Sequence, residues 1–145
     1  MKRSASAVWR GDLKSGRGTI STESTVLKDT QYSFGTRFEN GPGTNPEELI
    51  GAAHAGCFSM AFSAELGKAG FTADEIATTA TVNFENQPPT GWTVTRIHLE
   101  CTARIPGIDA ATFATIADGA KRGCPISRLL AAAEPISAKG SMDHA

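Results

Sequence analysis

Thr44-Asn45-Pro46-Glu47-Glu48-Leu49-Ile50-Gly51-Ala52-Ala53-His54-Ala55-Gly56-Cys57-Phe58 opens a long apolar stretch of this 145-residue chain. Asn45 suits a helix N-cap, Pro46 suits the first helical position, and Glu48 follows the cap by three residues. Together they predict a helix running to about Lys68, with Gly70 beyond its end. The stretch is apolar nearly all round, so the helix should be central and buried. Ala52, Ala53, Ala55, Gly56, Ala61 and Ala64 make it thin, which lets another backbone approach closely. Packing against a sheet and packing against a second helix both fit.

On the N-terminal side, residues 5–10 and 17–22 flank Gly11-Asp12-Leu13-Lys14-Ser15-Gly16 and read as a hairpin. A third strand is expected over 31–39, with Tyr32, Phe34 and Phe38 on one face and Arg37 on the other. Asn40-Gly41-Pro42-Gly43 breaks it. On the C-terminal side, residues 76–85 and 92–105 read as two strands joined by Asn86-Gln87-Pro88-Pro89-Thr90-Gly91. In the second of these, Ile97, Leu99, Cys101, Ala103 and Ile105 alternate with polar residues. Asp109 caps a second helix, Cys124-Pro125 opens a short one over about 125–132, and Pro135 to Lys139 forms a last strand. The order strands, helix, strands, helices predicts an α+β fold with antiparallel sheet.

The length suits one domain spanning 1–145, large enough for a real core. Hydrophobic residues make up 40% and charged residues 20%, as in ordinary globular chains. A net charge of −1 gives no reason to expect nucleic acid or an acidic membrane surface as a partner. Met1-Lys2-Arg3-Ser4-Ala5 is basic but no apolar run follows, so no signal peptide is expected. The uncharged run 49–64 is too short to span a bilayer. The expected location is the cytoplasm. There, three cysteines do not make a disulfide framework and are better read as reactive or buried thiols.

Two of those thiols stand out. Cys57 lies within the long helix, where a cysteine often serves only as a small core residue. Cys124 lies at a helix start, where Ser, Thr, Asp or Asn would cap better, and where backbone N–H groups favour a thiolate. Brought together, the two would form a redox pair that takes oxygen from a peroxide and closes as a disulfide. Cys101 reads as core. Arg37 fits a solvated strand position, or a guanidinium that stabilises a thiolate and is held by a carboxylate. Glu48 already has a capping role, whereas Glu47 does not. His54 and Cys57 share a helix face, but no second ligand pair accompanies them, and His98 and His144 lack ligand-like neighbours. No metal is expected.

The motif from Thr44 to Phe58, with Gly123-Cys124-Pro125, resembles the osmotically inducible protein C family, close to its OsmC branch. The resemblance covers nearly the whole chain. It includes Trp9-Arg10-Gly11-Asp12, Gly18-Thr19, Ser21-Thr22-Glu23-Ser24 and Pro106-Gly107-Ile108-Asp109-Ala110. It implies a thiol peroxidase of stress defence, related to the organic hydroperoxide resistance proteins. Cys57 then matches the peroxidatic cysteine, Cys124 the resolving one, Arg37 the active-site arginine and Glu47 the glutamate that holds it. The implied fold is an intertwined α+β homodimer with sheets wrapped around long central helices. The implied substrate is an organic hydroperoxide, and the reductant is a dithiol, which is a lipoyl group in the hydroperoxide-resistance branch.

The cycle this implies needs no metal or flavin. Cys57 becomes a sulfenic acid, Cys124 closes the disulfide, and an external dithiol reopens it. Apolar side chains near Cys57, among them Phe58 and Met60, are expected to favour a hydrocarbon-tailed peroxide. Glu47 and Cys57 lie ten residues apart, about 15 Å of rise on a straight helix. Either the first turn bends away, or the Glu47 that serves a given Cys57 comes from the partner chain; the thin helix, which invites a close dimer contact, favours the second. Two other readings of the residues remain. One is a hydrolase with Cys57 as nucleophile and His54 as base; the other is a binding module with the cysteines as core.

Overall fold

A computed structural model describes residues 1–131 in full and the backbone of 136–142. Pro135 and His144 lie outside the described residues. The chain packs as two compact units, Met1–Leu49 and Ile50–Ala145.

The first unit holds an antiparallel sheet of β1 (Ala5–Arg10), β2 (Arg17–Thr22) and β3 (Thr30–Tyr32), in that order. The hairpin pairs Ala5 with Thr22 through to Arg10 with Arg17, as the turn-rich 11–16 segment predicts. Gly18 leaves room for the Trp9 and Tyr32 rings, which lie 5.4 Å apart. A Cβ at Gly18 would sit 2.2 Å from Tyr32 Cε1, so only glycine fits there.

The expected third strand over 31–39 is corrected by the structure. β3 stops at Tyr32, and Phe34–Phe38 forms a short helix, α1. Ser33 is the reason. Its hydroxyl accepts from Thr36 N–H (3.3 Å), while Thr36 Oγ1 accepts from Ser33 N–H (2.9 Å). This reciprocal box starts a helix and outcompetes the extended pattern. Phe34 and Phe38, read as alternate strand positions, are instead one turn apart, with ring centroids at 4.8 Å.

The long helix, α2, runs Pro46–Lys68. Asn45 Oδ1 accepts from Glu48 N–H at 2.8 Å, so the predicted N-cap is present. The Glu48 carboxylate takes the Thr44 hydroxyl instead of closing a box on Asn45.

In the second unit, β4 (Glu75–Gln87) and β5 (Gly91–Arg104) form a long antiparallel ladder with an irregularity at Asn83/Phe84. β6 (Ile136–Met142) adds to the other edge of β5. It pairs parallel, from Ile97 with Ile136 to Ala103 with Met142, so this sheet is mixed and not purely antiparallel. The connection between them, α3 (Ala110–Gly123) and α4 (Pro125–Leu130), supplies the crossover that parallel strands require.

Phe58, Phe62 and Leu66 of α2 form the core with Leu99, Cys101 and Ala103 of β5, Phe113 and Ala120 of α3, and Cys124. Phe62 meets Phe113 edge-on at 5.2 Å. The expectation of a helix buried all round holds for one face only. Gly51, His54, Phe58, Phe62 and Leu66 are buried, whereas Ala52, Ala53, Gly56, Met60 and Ala64 are exposed. Phe58 therefore belongs to the core and does not line a substrate approach; Met60 is 77% exposed. Cys101 is core, as expected.

Candidate active site

Cys57 and Cys124 come together from separate elements of the second unit. Cys57 lies near the middle of α2, half-buried, and Cys124 is fully buried between α3 and α4. Cys124 N–H bonds back to Ala120 O at 2.8 Å and ends α3. Its sulfur accepts from Ser127 N–H at 3.4 Å and so caps α4, with Pro125 in the first turn. The two sulfurs lie 3.2 Å apart and both thiols are free. That is about 1 Å beyond an S–S bond of ~2.05 Å, so a small side-chain shift links them.

The two sulfurs do not ionise alike. Burial pushes the Cys57 thiol above its ordinary range; Ile126 N–H opposes this, and the neighbouring Cys124 sulfur adds to it. Burial also resists ionisation of Cys124, but there it is outweighed. The Ser127 hydroxyl and N–H, the Cys57 thiol and Ile126 N–H hold Cys124 below its ordinary value. Within this unit Cys124 is therefore the sulfur that ionises more readily. A low-pKa Cys57 is the natural expectation for a peroxidatic residue. The groups surrounding it in this unit do not supply that state.

His54 is fully buried, and burial pushes its imidazole below the ordinary 6.5, keeping it neutral. It meets Ser127, not Cys57, through an Nε2···Oγ contact of 2.7 Å. Ser127 is itself only 3% exposed. A buried Ser–His pair without access for a substrate does not make a hydrolase centre. Among the described residues no group of His, Cys, Asp and Glu is placed to hold a metal.

Arg37 and Glu47 meet in the first unit. Arg37 Nη2 donates to Glu47 Oε1 at 2.8 Å, and Nε donates to Oε1 and Oε2 at 3.1 and 3.3 Å. This two-pronged pairing fixes the guanidinium plane, which a lysine could not reproduce. Glu47 is 8% exposed and Arg37 remains partly open, its Cζ 5.5 Å from the Phe38 ring centroid. Arg37 and Glu47 of one chain thus form a fixed ion pair. Beside Arg37 lies a hollow of about 250 Å³, lined by Trp9, Leu13, Tyr32, Phe34 and Phe38. Ser127 is not marked by a sequence motif. Ser127 gains its meaning only from contact with His54, 73 positions away.

The chain is 56% identical over 126 residues to the peroxiredoxin OsmC of Escherichia coli (strain K12), covering 87% of each chain. It is 33% identical over 92 residues to the organic hydroperoxide resistance protein of Xanthomonas axonopodis pv. citri, covering 60% of this chain and 59% of that one. The fold is similar to the crystal structure of an OsmC-like protein from Mycoplasma pneumoniae, with a TM-score of 0.77, 15% identity and 99% of both chains covered. The family model described as OsmC-like protein matches residues 39–139. The chain belongs to the OsmC-like protein family.

Proposed function

We propose that this chain is a thiol-dependent peroxidase that reduces organic hydroperoxides to alcohols through Cys57 and Cys124. The observation that carries this reading is the 3.2 Å separation of two free sulfurs on different elements. The extensive identity to a peroxiredoxin supports it.

In the proposed cycle the pair holds one proton, on Cys124, when the peroxide arrives. Cys57 as thiolate attacks the terminal oxygen of ROOH. The O–O bond breaks, the sulfur gains OH as a sulfenic acid, and RO⁻ departs. The alkoxide takes the proton of Cys124 and leaves as ROH, so Cys124 becomes the anion. Cys124 then attacks Cys57, the S–O bond breaks, and hydroxide takes a proton from solvent to form water. A dithiol, such as a protein-bound lipoyl group, reopens the disulfide by exchange.

Arg37 supplies what the surroundings of Cys57 lack in the second unit. Its guanidinium, fixed by Glu47, offsets the burial that disfavours the Cys57 anion and stabilises the departing alkoxide. Glu47 precedes Cys57 by about 15 Å of helix rise. We therefore assign the Arg37–Glu47 pair to the site of the partner subunit in a homodimer. The exposed i, i+4 row of Ala52, Gly56, Met60 and Ala64 on α2 supports a second copy docking there. The aromatic hollow beside Arg37 suits a hydrocarbon tail. The cytoplasm is the proposed location, since its reducing dithiols close the cycle.

Cumene hydroperoxide and hydrogen peroxide, each supplied with excess dithiol, test the reading. The expected kcat/KM is at least about tenfold higher for cumene hydroperoxide, because burial of the phenyl group favours it. Equal rates would remove the apolar subsite from the account, and no consumption of either would remove the peroxidase.

A further inference from the structure

His54 and Ser127 do no work in the cycle just described, yet both are buried and both are aimed toward the sulfur pair. His54 Nε2 lies 2.7 Å from Ser127 Oγ. Ser127 N–H donates to Cys124 Sγ at 3.4 Å, and the Ser127 hydroxyl is among the groups that favour the Cys124 anion. His54 Nδ1 has no hydrogen-bond partner among the described residues.

With the ring proton on Nε2, His54 donates to Ser127 Oγ and leaves the Ser127 hydroxyl proton free to turn toward Cys124, beside the Ser127 N–H that already donates to that sulfur.

We propose that His54 and Ser127 are positioning residues for the resolving step: the chain His54 Nε2–H to Ser127 Oγ–H to Cys124 Sγ holds that sulfur as the nucleophile that closes on the Cys57 sulfenic acid. The inference rests on the peroxidase reading of the cysteine pair. In the balanced cycle, Cys124 carries the negative charge from the moment the alcohol leaves until the disulfide forms. Hydrogen bonds to the charged form stabilise it through that interval. Without them, Cys124 is reprotonated more readily, and the sulfenic acid of Cys57 lasts longer and is exposed to a second peroxide.

The test separates the two chemical steps. Reduced protein is mixed with one equivalent of cumene hydroperoxide, and quenched samples are assayed for Cys57 sulfenic acid by dimedone capture and for disulfide by mass. In Ser127→Ala the expected disulfide closure is at least about tenfold slower, with dimedone-trapped Cys57 accumulating, while oxidation of Cys57 slows much less. Ser127→Thr, which returns a hydroxyl, should recover most of the closure rate. Closure at wild-type speed in Ser127→Ala would overturn the proposal. So would equal slowing of both steps, which a merely structural role produces.

A readout independent of turnover is the ¹⁵N spectrum of the His54 ring in wild-type protein. A neutral ring with hydrogen on Nε2 is expected, and hydrogen on Nδ1 overturns the donor chain. A wild-type protein that fails to oxidise Cys57 at all overturns the peroxidase reading instead, and the ring tautomer then judges the donor chain alone.

Discussion

Replacing Cys57 with serine abolishes turnover of organic hydroperoxide, with an expected loss in kcat/KM on the order of 10³-fold or more. The reason lies in the atom. A hydroxyl at position 57 is not ionised near neutral pH, is a poor nucleophile toward peroxide oxygen, and cannot accept the oxygen as a stable sulfenic acid. Sulfur-to-oxygen replacement changes the volume little, and the half-buried position 57 tolerates it, so folding is retained. Steady-state consumption of cumene hydroperoxide under excess dithiol measures the loss. Retained turnover in Cys57→Ser would assign the oxygen transfer to another group.

The second large effect concerns Arg37. Arg37→Met is expected to lower kcat/KM on the order of 10²-fold or more. It should also raise the pH at which iodoacetamide alkylates Cys57. Burial already pushes that thiol up, and Ile126 N–H alone does not reverse it. Loss of the guanidinium removes the charge that would.

The pairing of Arg37 with Glu47 in the same chain sharpens the prediction. If the pair serves the partner's Cys57, mixing refolded Arg37→Met and Cys57→Ser chains rescues activity. A heterodimer then has one complete site, with an intact Cys57 from one chain and an intact Arg37 from the other. Random pairing at equal amounts restores about a quarter of wild-type activity. If the pair serves its own chain, the mixture stays inactive.

The two mutations together locate the ionisation problem that the structure raises. Cys124 caps a short helix and gathers donors from Ser127 and Ile126, whereas Cys57 has Ile126 alone and a neighbouring sulfur that raises it further. Of the two, Cys124 ionises more readily, which is the wrong sulfur for attack on peroxide. On the proposed reading, a fixed cation near Cys57 favours its anion and leaves the proton on Cys124, where the departing alkoxide can use it. On that reading, the Arg37–Glu47 pair and the His54–Ser127 pair act on opposite ends of the same two sulfurs. One favours attack and the other favours closure.

Much of this was legible in the sequence because the signals are local. Asn45-Pro46 marks the start of α2, Asp109 caps α3 through Thr112 N–H, and Gly123-Cys124-Pro125 places a sulfur at a helix junction. Each is decided by backbone groups within one turn. The segment 31–39 misled because its aromatic spacing fits both a strand and a helix turn, and the Ser33–Thr36 box decided between them. The parallel direction of β6 depends on how the α3–α4 crossover returns, which no residue of β6 encodes. Ser127 was missed because a serine inside a short helix is ordinary until a buried histidine from another element is found 2.7 Å away. The order of ionisation was missed for the same reason. It depends on which donors reach each sulfur: those from Ile126 and Ser127 to Cys124 lie two and three residues on, as a helix start predicts, whereas Ile126 reaches Cys57 from a distant position.

The most direct test of the central claim is the fate of the three cysteines after a single oxidation. Fully reduced protein is treated with one equivalent of cumene hydroperoxide, free thiols are alkylated, and the peptides are mapped without reduction. The account predicts one intrachain Cys57–Cys124 disulfide, with Cys101 alkylated as a free thiol. Recovery of Cys57 and Cys124 both as alkylated thiols, or of a disulfide that includes Cys101, would contradict it.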